Sequence, residues 1–108
     1  MNILVVDDDK DVRGLLRKFL KEEGHAVEEA ANGQEGLARA REHRPDAIIC
    51  DGLMPVMDGF QLLQALKRDS GLSSIPVIFF SAMYTGEREQ ELAMSLGAEA
   101  FLVKPQPP

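Results

Sequence analysis

Apolar residues enter this chain in short, mostly β-branched bursts separated by segments of helical period. The bursts cover residues 3–6, 26–30, 47–50, 76–80 and 100–103. Four of the five are continuously apolar, as expected for strands covered on both faces. The second, Ala26-Val27-Glu28-Glu29-Ala30, is broken by charge and suits a sheet edge. Between the bursts, Val12, Leu15, Leu16, Phe19 and Leu20 form one helical stripe, and Gly24 follows as its stop. Further helices are predicted over residues 34–42, ahead of Pro45, and over 59–69, burying Phe60, Leu63 and Leu66. A fourth is predicted over 87–96, burying Leu92, Ala93 and Leu96 and stopping at Gly97.

Strands that alternate with helices pair in parallel through right-handed crossovers, with helices on both sheet faces. The 108 residues read as a single domain, enough for one core and too few for two. No repeat or interdomain linker interrupts them. After Lys104, Pro105-Gln106-Pro107-Pro108 does not begin another useful helix. Periodicity alone therefore predicts a (βα)₄β chain that stops on its fifth strand.

Polar residues collect at one end of these strands. Asp7, Asp8 and Asp9 follow the first, Asp51 the third, Ser81 the fourth and Lys104 the fifth. In an open parallel sheet these ends share one edge, where ligands bind at the reversal of strand order. Crowded carboxylates repel, and a hard divalent cation relieves that repulsion. Mg²⁺ fits because it takes one or two carboxylates and keeps several waters; Mn²⁺ could substitute. A carboxylate beside such an ion can attack phosphorus to form an aspartyl-phosphate. Lys104 would pair with a phosphoryl oxygen, and the Ser81 hydroxyl would donate to another.

Charge and composition narrow the options. A formal net charge of −6 with scattered basic residues argues against direct nucleic-acid binding. Cys50 is the only cysteine, so no internal disulfide is expected, and a reducing, cytoplasmic setting follows. No apolar run approaches the roughly 20 residues of a membrane helix, so no membrane insertion is expected. Asp9 and Asp58 read as helix caps, His25 and His43 as surface residues at the opposite edge, and Cys50 as a small core residue. Met54 and Met57 read as packing residues of the loop after Asp51.

The blocks Ile3-Leu4-Val5-Val6-Asp7-Asp8-Asp9, Asp51-Gly52-Leu53-Met54-Pro55-Val56-Met57-Asp58-Gly59, Ser81-Ala82 and Lys104-Pro105 occur in order and at suitable spacing. Together, over residues 2–105, they resemble a response-regulator receiver domain of two-component signal transduction, of the chemotaxis-regulator type. The resemblance implies a flavodoxin-like, doubly wound α/β fold with a five-stranded parallel sheet of order 2-1-3-4-5. It implies Asp51 as phosphoacceptor and Asp7 and Asp8 as the acidic pair, Asp8 the more direct metal ligand and Asp7 acting largely through water. The Leu53 main-chain carbonyl would be a further Mg²⁺ ligand. Ser81 matches the switch hydroxyl, Lys104 the phosphate-pairing lysine and Phe101 the switch aromatic. Lys104-Pro105 would carry a cis peptide.

The implied role is a signalling switch phosphorylated by a histidine kinase or phosphotransfer protein, which alters partner binding through the Ser81/Phe101 face. It would accelerate only its own phosphorylation and dephosphorylation and act on no other substrate. Two departures stand out. Leu53 and Met83, two beyond Asp51 and two beyond Ser81, are apolar and would shield the acyl phosphate. The fifth helix of the family is missing, so Leu15 and Phe19 are expected to lose cover. That implies a truncated or longer protein with a covalent output region, or a covering partner such as a second copy. The alternatives are a non-phosphorylated interaction module, an Asp-based Mg²⁺-dependent phosphatase and an FMN carrier. The phosphatase family wants its nucleophile on the first strand, and an FMN carrier wants a Ser/Thr/Gly-rich loop there.

Overall fold

The computed structural model describes residues 1–81 and 87–104. Five parallel strands form one sheet: β1 (Asn2–Val6), β2 (Ala26–Ala30), β3 (Ala47–Cys50), β4 (Val77–Ser81) and β5 (Ala100–Val103). Their order is β2-β1-β3-β4-β5, as the resemblance implied. The helices are α1 (Lys10–Glu22), α2 (Gly33–Glu42), α3 (Gly59–Arg68) and α4 (Glu87–Ser95). The charged strand β2 lies at an edge, where one side of its backbone ladder has no neighbour among the described residues. Gly24 and Gly97, with φ of 90° and 104°, end α1 and α4 in the left-handed region that glycine adopts without strain.

Side chains alternate across the sheet, and the two faces are unequally covered. On one face Leu4, Val6, Ile48, Cys50, Val77 and Phe79 pack with Leu37 and Ala40 of α2 and Leu62, Leu63 and Leu66 of α3. Each such buried aliphatic or aromatic side chain stabilises the fold by about 1.5–3 kcal/mol, so this layer carries most of the core. Among the described residues the other face has only α1, none of whose residues is fully buried. Leu15 is 71% exposed, Phe19 58% and Leu102 53%, in line with the expected loss of cover. Val12, Leu16 and Leu20 are half-buried, and polar contacts add to that hold: Asp9 caps the first turn, and Arg13 and Arg17 both pair with Glu29 on β2.

Three sequence expectations need correction, the first being Leu96, which is only half-buried against the core. Leu92 is 46% exposed, because it lies one residue, about 100° of helical rotation, away from the buried Ala93. Phe60 is only half-buried, whereas Leu62, not predicted, has no exposed surface. The Phe60 ring instead lies at the rim of the core, 5.1 Å from the Phe79 ring centre.

The β3–α3 loop is held at both ends. Gly59 N–H donates to the Gly52 carbonyl at 3.1 Å, and Gly33 N–H donates to the Met57 carbonyl at 2.8 Å. A Cβ at Gly59 would collide with the Asp51 carbonyl, so the loop closes this tightly only with glycine there. Between these anchors, Met57 N–H donates to the Pro55 carbonyl at 2.8 Å across Val56, whose φ is 70°. This three-residue turn is a strained conformation, and a β-branched side chain adds to the strain. Val56→Gly is expected to raise unfolding free energy by about 0.5–1 kcal/mol, the left-handed penalty less glycine's entropy. Gly59→Ala is expected to lower it; urea titration of both variants checks the pair.

Candidate functional site

Strands β1 and β3 are neighbours, so the residues following them emerge side by side. Asp51 N–H donates to the Val6 carbonyl at 3.0 Å, and Asp7 N–H to the Ala30 carbonyl at 3.0 Å, extending the ladder just past each strand. Cys50 points into the core, and the next residue, Asp51, reaches the crevice. Burial and nearby carboxylates push the Cys50 thiol upward, which leaves it inert.

Both carboxylate oxygens of Asp51 are engaged. Oδ1 accepts from Ser81 Oγ at 3.0 Å and from the Leu53 N–H at 3.2 Å; Oδ2 accepts from Lys104 Nζ at 3.1 Å. The same ammonium lies 2.8 Å from Asp7 Oδ2, while Asp7 Oδ1 accepts from the Asp9 N–H at 2.9 Å. Asp7, Asp51 and Ser81 are buried, and Asp8 is exposed. Burial raises the Asp7 pKa, though Lys104 and the Asp9 N–H work against it. Burial opposes the charge on Lys104 as well, but its hydrogen bonds to Asp7 and Asp51 outweigh that and raise its pKa. Lys104 also lies over the Phe80 ring, 6.0 Å from its centre.

Asp7, Asp8, Asp9, Asp51, Leu53, Ser81 and Lys104 line one cavity of about 270 Å³. Asp7, Asp8 and Asp51 each offer a carboxylate oxygen within 4.8 Å of the others. Hard oxygen donors gathered this closely suit Mg²⁺ or a similar divalent cation. Another cavity, of about 290 Å³ beside Asn2, Glu28, His43 and Arg44, opens at the far edge and gathers no comparable cluster of carboxylates.

The sequence-predicted residues Asp7, Asp8, Asp51, Leu53, Ser81 and Lys104 thus come together. Phe101 stands apart, stacked on Phe79 at 5.9 Å. Asp9 caps α1 by accepting from the Asp11 and Val12 N–H groups, and Asp58 forms a capping box with Gln61. Met83 and Pro105, and with them the expected cis peptide, lie outside the described residues. Sequence reasoning missed Arg13, which donates from Nη1 to the Asp7 carbonyl at 2.6 Å. Its signal was a cation near the start of a helix, where the macrodipole disfavours positive charge.

This fold and this cluster define a receiver domain, and the chain belongs to the response regulator receiver domain family, whose model matches residues 3–108. Receiver domains act in two-component signalling, in general as phosphoacceptor switches. The chain is 37% identical to the protein PilH of Pseudomonas aeruginosa over 103 residues, covering 95% of this chain and 84% of that one. It is 39% identical over 110 residues to response regulator Rre1 of Synechocystis, covering all of this chain but 47% of that protein. The chemotaxis protein CheY4 of Vibrio cholerae has a similar structure, with a TM-score of 0.90 at 35% identity over 98% of this chain and 88% of that one. Among the described residues no helix is long and apolar enough to cross a membrane.

Removing the Lys104 ammonium would leave the buried carboxylates of Asp7 and Asp51 facing each other without their shared cation. Lys104→Met is therefore expected to lower stability in metal-free buffer by about 1–3 kcal/mol, read by chemical denaturation in EDTA.

Proposed function

We propose that Asp51 accepts a phosphoryl group from the phosphohistidine of a histidine kinase or phosphotransfer protein in a Mg²⁺-dependent reaction. The observation that carries this reading is the Asp51 carboxylate itself, held by Ser81 and Lys104 with the Asp7 and Asp8 oxygens close by. An Asp51 oxygen attacks phosphorus as the bond from phosphorus to the donor's imidazole nitrogen breaks, and the imidazole leaves. Lys104 and Ser81 then follow the charge from the carboxylate onto the phosphoryl oxygens. Asp7, Asp8, Asp51 and the Leu53 carbonyl would hold Mg²⁺, or Mn²⁺ in its place, which supplies neutralisation of the phosphoryl charge.

Phosphorylation adds about −1.5 to −2 charge, and Ser81 would shift from Asp51 toward it. Ser81 and Phe101 lie on adjacent strands, and Phe101 is half-buried at the core margin, so the pair can relay that shift to a partner-binding face. The bare Leu15, Phe19 and Leu102 suit a working protein in which further chain or a partner covers that surface. A reduced, buried Cys50 suits a cytoplasmic setting.

Acetyl phosphate with Mg²⁺, followed by intact mass measurement, tests the assignment. One added phosphoryl group is expected on the wild type and none on Asp51→Asn or in EDTA. Steady turnover without an adduct would favour a phosphatase, and no reaction at all an interaction module. Leu53, 49% exposed on the cavity wall, has an apolar side chain that is unable to orient an attacking water. Leu53→Asn is accordingly expected to shorten the lifetime of the phosphorylated state several-fold; an unchanged lifetime would remove Leu53 from the account.

A further inference from the structure

The Asp7–Asp8 peptide is gripped by a residue outside the acidic cluster. Arg13 donates from Nη1 to the Asp7 carbonyl at 2.6 Å and pairs through Nε with Glu29 Oε1 at 3.3 Å. Its side chain is only 18% exposed, so water competes weakly for these contacts. Arg17 holds the other Glu29 oxygen at 3.3 Å, which fixes the acceptor that fixes Arg13. On the other side of the same residue, Asp7 N–H is bonded to Ala30. Both backbone groups of Asp7 are therefore anchored to elements outside its own strand. Asp8 is exposed, so the direction of its carboxylate follows the backbone rather than packing.

We propose that Arg13 is a positioning residue for divalent-cation binding: its guanidinium sets the Asp7–Asp8 peptide so that both carboxylates converge with Asp51. Glu29 is the anchor of that guanidinium. The inference deepens the reading of Asp51 as a Mg²⁺-dependent phosphoacceptor and rests on it. Its value is that electrostatics alone predicts the opposite sign. A guanidinium near the acidic cluster repels an incoming cation, so removing it should tighten Mg²⁺ binding if charge were its only contribution. If Arg13 preorganises the ligands, removing it should weaken binding, by about tenfold if it behaves as other outer-shell supports of metal ligands do.

Calorimetric titration of the full chain with MgCl₂ distinguishes the two. Arg13→Met, which keeps the apolar stem, is expected to raise the Mg²⁺ Kd about tenfold. Arg13→Lys should recover only part of the loss, because an ammonium lacks the fork that reaches the Asp7 carbonyl and Glu29 together. Glu29→Gln leaves Arg13 in place but loosens its tether, and a smaller rise is expected. At saturating Mg²⁺ the acetyl-phosphate labelling rate of Arg13→Met should return to the wild-type value. An equal or tighter Kd in Arg13→Met, or a labelling deficit that persists at saturation, overturns the proposal. Should Arg13→Met fail to fold in EDTA, an unchanged Kd in Glu29→Gln overturns it instead. A wild type that binds no Mg²⁺ sinks the phosphoacceptor reading and this inference with it. Wild-type binding together with unaffected variants sinks the inference alone.

Discussion

Two carboxylates that end adjacent strands in a buried crevice repel each other, and much of the site's arrangement answers that repulsion. Lys104 spans both, 2.8 Å from Asp7 and 3.1 Å from Asp51, and so ties the end of β5 to the ends of β1 and β3. A charge buried without a partner is expensive, which is why these contacts are short and every acid is otherwise hydrogen-bonded where it is buried. Among the described residues, no buried side-chain nitrogen or oxygen lacks a partner. The same ammonium that steadies the crevice is the group a phosphoryl oxygen would draw away.

The rest of the fold delivers these groups to one edge. The α2–α3 layer is closely packed and anchors β1, β3 and β4, while the β3–α3 loop is pinned by Gly59 against Asp51 and by Met57 against α2. The α1 side is different in kind. Apolar cover there is incomplete, and the helix is tied to the edge strand by the Arg13, Arg17 and Glu29 group. Exposed ion pairs contribute little individually, typically about 0–1 kcal/mol. The half-buried Arg13, bonded also to the Asp7 carbonyl, links the weakly covered face to the site.

The sequence by itself determined the element order, the edge position of β2, the caps at Asp9 and Asp58, and the set of polar residues beyond the strand ends. Each of these rests on local periodicity or on the chemistry of a side chain near its own backbone, and such signals survive without tertiary contacts. The resemblance then supplied the strand order and the role proposed for each acid. Tertiary structure alone decided what neighbours do to one another. It exposed Leu92, set Phe60 at the rim, buried Leu62 and stacked Phe101 on Phe79. It also aimed Arg13 at the Asp7 carbonyl and joined Lys104 to two carboxylates distant in sequence. Which side chain meets which depends on helix rotation and strand adjacency, and no run of residues along one segment encodes either.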